Sequence, residues 1–162
     1  MIIALDPSIN HCGFAIFSKA GGLLKYGTIS PSREWTNWQA KAYSVLEKIK
    51  TLEKFYLEKL ERVIYEMPEV WNSSAKGNYA KNSGALEKLY FICGAIHAAY
   101  GNKVDFYTAQ EWKGQVPKSV TIDRVKSRYN VASNISDHEA DAISIAETWM
   151  HKHGRVIIYK KV

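Results

Sequence analysis

The chain has 162 residues, 46% apolar and 23% charged, a balance that suits one globular domain over 1–162 and excludes a disordered or fibrous chain. Two cysteines, Cys12 and Cys93, are too few for a disulfide framework, and no Cys or His spacing fits a zinc site. No run approaches about 18 apolar residues and no basic stretch leads into an apolar segment, so neither a membrane span nor a signal peptide is expected and a cytoplasmic location is; the net charge of +6 favours a polyanionic partner, nucleic acid above all.

In chain order, residues 1–6 read as a short buried strand, 13–19 ("GFAIFSK") as a second and 23–29 ("LLKYGTI") as a third. The short turns between them predict an antiparallel meander. From Asn37 to Leu60, apolar residues recur at spacings of three and four (Trp38, Ala42, Val45, Ile49, Leu52, Tyr56, Leu60), which predicts a long amphipathic helix. "RVIYE" (62–66) returns to a strand and 67–82 reads as a loop. A helix follows over 84–100, with Asn82 or Ser83 as cap and Gly101 as stop. "KVDFY" (103–107) is a fifth strand, and 108–115 a short helix capped by Thr108 and broken by Pro117. Residues 119–130 form another helix. The last opens at Ser136, where "SDHE" fits a capping box with Glu139, and runs to His151. "RVIIYKK" (155–161) reads as an edge strand or a partner contact. Three antiparallel strands leading into β-α-β crossovers predict an α/β fold: a mixed sheet with helices on its faces.

Acidic residues stand at element ends. Asp6 closes the first strand and Glu66 the fourth. Asp141 lies on the first turns of the last helix, with His138 and Asp137 three and four residues before it, on one face. If strands one and four are neighbours, Asp6 and Glu66 end side by side, and a helix across that end completes an oxygen-rich cluster with one imidazole. Such a cluster repels itself when empty. Mg²⁺ or Mn²⁺ relieves the repulsion, and two such ions about 3.5–4 Å apart can clamp a phosphodiester.

Asp6 in "IIALDPSINHCGFAIF", Glu66 in "VIYEMP", and His138 with Asp141 in "DHEADAISIAE" stand in the order and spacing of RuvC-type Holliday junction resolvases, which the chain resembles over nearly its whole length. The resemblance implies a ribonuclease H-like five-stranded sheet (three antiparallel strands, then two parallel), a homodimer, and Mg²⁺-dependent paired nicking of four-way DNA junctions. Asp6, Glu66, His138 and Asp141 would be the metal ligands and catalytic residues, with two Mg²⁺ per site and Mn²⁺ as a substitute. Asp137 is an alternative to His138. Lys113 and Lys118 fall near the family's active-site lysines. The loop after Glu66, "MPEVWNSS", is longer than in bacterial members, and Trp71 is the candidate for the aromatic that inserts at the junction. The compact, divergent form resembles a phage-encoded member.

The cations Lys76, Lys81, Lys113, Lys118 and Arg124 flank the acids and suit DNA phosphates. Tyr79, Trp112 and Tyr129 lie among them and fit either base stacking or core packing. Other motifs fail: "GQVPKS" has Pro117 where a phosphate loop needs Gly, and "HEADA" has Ala142 where HExxH needs His. The competing functions are a ribonuclease H-like nuclease acting on other branched DNA or RNA–DNA hybrids, an actin-like phosphotransferase, and a non-catalytic DNA-binding module. The phosphotransferase would need a second phosphate-binding Asp-Gly region.

Overall fold

A computed structural model describes residues 1–69 and 84–160. Five strands, β1 (Ile2–Asp6), β2 (Cys12–Phe17), β3 (Leu23–Ile29), β4 (Arg62–Met67) and β5 (Val104–Thr108), form one sheet in the order β3-β2-β1-β4-β5. The β1–β2 and β2–β3 pairs are antiparallel, and β1–β4 and β4–β5 are parallel. The mixed sheet expected from the sequence is therefore present.

The helices are α1 (Trp38–Lys54), α2 (Ala85–Tyr100), α3 (Ala109–Trp112), α4 (Lys118–Arg128) and α5 (Asp137–Lys152). Strand alternation sorts the core into two layers. Ile3 and Leu5 of β1, Phe14 and Ile16 of β2, and Val63 and Tyr65 of β4 pack against Val45 and Ile49 of α1 and Ile92 and Ile96 of α2. On the opposite face, Ile2, Ala4, Ala15, Phe17 and Ile64 meet Val125 of α4 and Ala140, Ile143 and Ala146 of α5. Each fully buried branched side chain contributes about 1.5–3 kcal/mol. The same parity has a functional consequence. Asp6 shares the face of Ile2 and Ala4, and Glu66 that of Ile64, so both acids face α5.

The expected short helix over 108–115 is confined to Ala109–Trp112, and three other boundaries differ in ways that matter to the packing. The long helix stops at Lys54, not Leu60: the chain must reverse to enter β4, and Leu60 reaches the core from that return segment while Leu57 is fully exposed. The second helix opens at Gly84, held at φ 66° with no side-chain cap bond, whereas Asn82 and Ser83 lie outside the described residues. Residues 155–160 form no strand; a single bridge joins Ile158 to Gly22 ahead of β3. The capping boxes hold. Thr108 pairs with Glu111 at α3, and Ser136 with Glu139 at α5. Both cysteines are buried and free. Among the described residues no helix is long and apolar enough to cross a membrane.

Helix α5 crosses the sheet at very short range. Gly13, paired with Asp6 in the β1–β2 register, lies directly beneath the start of α5. A Cβ there would stand 2.1 Å from the His138 carbonyl oxygen. Only a glycine lets the helix carrying His138 and Asp141 descend onto the strand carrying Asp6. Gly13→Ala should therefore lift the start of α5 at a cost of about 1–3 kcal/mol, lowering Tm by roughly 3–10 °C. Calorimetry checks this, and an unchanged Tm would contradict the close approach.

Candidate active site

The β1–β4 register pairs Leu5 with Tyr65, so the next positions, Asp6 and Glu66, end the two central strands side by side. Asp141, 5% exposed on α5, completes the acidic group. Each acid already has a partner. His138 Nδ1 lies 2.5 Å from Asp6 Oδ2, and an ionised carboxylate can only accept, so Nδ1 carries the proton. The Trp112 indole Nε1 donates to Glu66 Oε2 at 2.7 Å. Lys113 Nζ donates to Asp141 Oδ2 at 3.2 Å and stands 3.9 Å from Glu66 Oε2. Its ammonium also lies 4.5 Å from the centre of the Trp112 ring, a cation–π contact.

Burial pushes the Glu66 carboxyl above the usual carboxylate range, and Asp6 and Asp141 add to the rise; Lys113 and the Trp112 donor oppose it. Asp141 is raised for the same first reason, burial, with Lys113 opposing and Asp6 adding. Like charges in a partly dry site thus lean on one lysine. The hydrogen bond to Asp6 raises the His138 imidazole. Asp137 behaves differently. It is ion-paired to Lys118 at 2.6 Å, and that hydrogen bond lowers its pKa and raises the lysine's.

The expected residues thus converge on one sheet edge, but as linked pairs. Among the described residues no three His, Cys, Asp or Glu side chains close into a metal-holding group. The cause is visible in the contacts: Lys113 stands between Glu66 and Asp141, and Asp6 turns to His138. Asp137 pairs with a different lysine, Lys118, which also acts on Asp6 and Asp141. Tyr129 is buried with its hydroxyl donating to Glu147 at 2.8 Å, so core packing is its role. Arg124 is exposed on α4. Trp71, Lys76, Tyr79 and Lys81 lie outside the described residues. Sequence reasoning missed the Trp112 bond to Glu66. No local pattern announces it, because the partners are 46 residues apart and meet only when α3 docks against the end of β4.

Three solved structures share this architecture. Thermus thermophilus RuvC in complex with a Holliday junction substrate aligns with a TM-score of 0.67 at 17% identity, over 98% of each chain. The fold is that of RuvC. A second T. thermophilus RuvC structure aligns with a TM-score of 0.58 at 20% identity, over 99% of each chain. Fowlpox virus resolvase, in a complex with Holliday junction DNA, gives 0.53 at 14% identity, over 94% of this chain and 99% of that one. No protein-family model matches the sequence, and comparison with curated proteins finds no relative. Asp6 and Glu66 stand at the carboxyl ends of two central parallel strands of this fold, the usual location of sites in open α/β sheets.

Two outcomes follow from the pairing. Glu66 and Asp141 have raised pKa values, so the folded state holds their protons more tightly than the unfolded chain, and stability falls as pH rises from about 4. The His138 contribution is complete below its ordinary value of about 6.5 and is lost as pH passes its raised value. Asp137 acts oppositely, but only as pH falls through its lowered value. In protein treated with EDTA, Glu66→Gln/Asp141→Asn should therefore remove a loss of Tm that the wild type shows as pH rises from about 4; an equal pH dependence in the double variant would argue against buried repulsion. Separately, Trp112→Phe removes a donor to Glu66 while keeping a ring. Carboxyl NMR should show the Glu66 pKa rising further, and an unmoved titration would discount the bond.

Proposed function

We propose that this protein is a structure-selective endonuclease that resolves four-way DNA junctions by paired nicks through phosphodiester hydrolysis. One observation carries the reading: Asp6, Glu66, Asp141 and His138, drawn from β1, β4 and α5, converge on one end of the sheet as an Asp6–His138 pair beside Glu66 and Asp141 bridged by Lys113. Two of the solved proteins sharing the fold are complexed with Holliday junction DNA.

The donor set fits a hard divalent cation. It offers carboxylate oxygens and one imidazole, and the Lys113 ammonium already supplies positive charge between Glu66 and Asp141. Asp6, Glu66, His138 and Asp141 would hold two Mg²⁺ ions, or Mn²⁺ in their place. Bound there, the ions supply Lewis-acid activation of water and charge relief at the leaving oxygen.

The chain's own residues do the rest. Trp112 fixes the Glu66 carboxylate by its indole N–H, a bond to a charged group worth about 1.5–3 kcal/mol. Lys113, freed from Glu66 and Asp141, is within reach of the phosphate and stabilises the negative charge that grows on its oxygens. His138 Nδ1–H holds Asp6 in orientation. Lys118 keeps Asp137 neutralised beside the site. Paired nicks require two such sites, so the working unit is a homodimer. A surplus of cations attracts the DNA, with affinity falling as salt rises.

A labelled four-way junction, a fork, a flap and an RNA–DNA hybrid, each incubated with Mg²⁺ or EDTA, test the reading on a gel. Symmetric nicks in opposite junction arms, dependent on Mg²⁺, are expected. Cleavage of the hybrid alone would move the protein to the ribonuclease H-like alternative. Asp6→Asn should lower nicking by a factor of about 10³ or more, which is about 4 kcal/mol of barrier or more, while junction binding persists; full activity in that variant would remove the site.

A further inference from the structure

Beyond the acids, α4 and α5 separate to leave a cavity of about 210 Å³ that the hydrolytic reading does not use. Trp112, Lys113, Arg124, Arg128, Thr148 and His151 are among its lining residues. Its one lining carboxylate, Glu147, is turned inward and satisfied. Glu147 Oε2 accepts from Arg128 Nη1 and Oε1 from the Tyr129 hydroxyl, both at 2.8 Å, and the residue is 5% exposed. Arg124, by contrast, makes no side-chain hydrogen bond or ion pair among the described residues. The cavity therefore presents unspent donors and net positive charge behind a neutralised floor.

We propose that this cavity is a second phosphate site, which takes a backbone phosphate of the same DNA strand whose scissile phosphate lies at Asp6, Glu66 and Asp141. The inference rests on the nuclease reading and adds to it a fixed footprint on one side of the cut. Two features set the direction. Lys113 belongs to both sites: it contacts Glu66 and Asp141 and also lines the cavity. Helix α5 carries both as well, with Asp141 at one and Thr148 and His151 at the other. Seven residues of helix separate Asp141 from Thr148, about 10 Å, or one to two steps between successive phosphates of a strand, which stand ~6–7 Å apart through space because the backbone winds around the axis it climbs by ~3.4 Å per step. The phosphate held is accordingly one or two nucleotides from the scissile one. Arg124 supplies a guanidinium fork, Arg128 the N–H groups that Glu147 leaves unused, and His151 a ring donor at the rim. Cationic side chains around a neutralised carboxylate suit the charge of a phosphate.

Anisotropy titrations of a labelled four-way junction in EDTA, over a series of KCl concentrations, test this. Arg124→Gln should weaken binding about 5–10-fold and reduce the salt slope by about 1. Arg124 is exposed, so the variant folds. Single methylphosphonates are then placed one, two and three nucleotides from the mapped cut. One of them should weaken wild-type binding by a similar factor and leave Arg124→Gln unaffected, a non-additive pair. Wild-type affinity and slope in Arg124→Gln, or methylphosphonate losses that simply add to that variant, would overturn the site. If the wild type still nicks junctions, the nuclease reading then stands without it. A wild-type protein that binds no branched DNA overturns both.

Discussion

The structure turns on the repulsion between acids gathered at one partly dry sheet edge. Burial raises Glu66 and Asp141, the Asp6 charge adds to both, and Asp141 adds to Glu66. A fold gains nothing in stability from such a group. What makes it tolerable is the set of partners around it: the His138 imidazole on Asp6, the Trp112 indole on Glu66, and Lys113 between Glu66 and Asp141. Each partner comes from an element that packs for other reasons, so the arrangement is rigid before any ligand arrives.

The cost of the cluster is met elsewhere in the molecule. Two apolar layers, one on each side of the sheet, bury the central strands. Small residues at Ala4, Gly13, Ala15 and Ala140 let α5 lie close to the sheet, and the capping box at Ser136 and Glu139 fixes where the helix begins. A second tie comes from the Thr28 hydroxyl, which donates to Glu139 Oε1 at 3.2 Å and links the helix start to β3. The position of His138 and Asp141 relative to Asp6 is thus set by packing and capping together, not by the charges themselves.

Trp112 and Lys113, adjacent in the chain, divide the work at the site. The indole fixes one carboxylate while the ammonium, resting on the indole face, bridges two. The lysine also stands next to the α4–α5 cavity, where further cations line the wall. Asp137 is held by a different lysine, Lys118.

Much of this was legible from the residues alone. Short runs bounded by turns gave the five strands, and "LDPSINHCGF" with the H-x-x-D helix carried the resemblance to RuvC. That Asp6 and Glu66 share a face follows from strand alternation only once the parallel β1–β4 register is known. The end of the long helix was not legible, because Tyr56 and Leu60 keep the helical spacing while packing from a return segment. Nor were the partners of the acids. That Trp112 donates to Glu66, that Lys113 bridges two carboxylates and that Lys118 withdraws Asp137 depend on how α3 and α4 dock against the sheet. Sequence determines which groups are available and which way strands and helices present them; only tertiary packing decides which distant charges meet, because their Coulomb and hydrogen-bond energies act over a few ångströms that the chain alone does not specify.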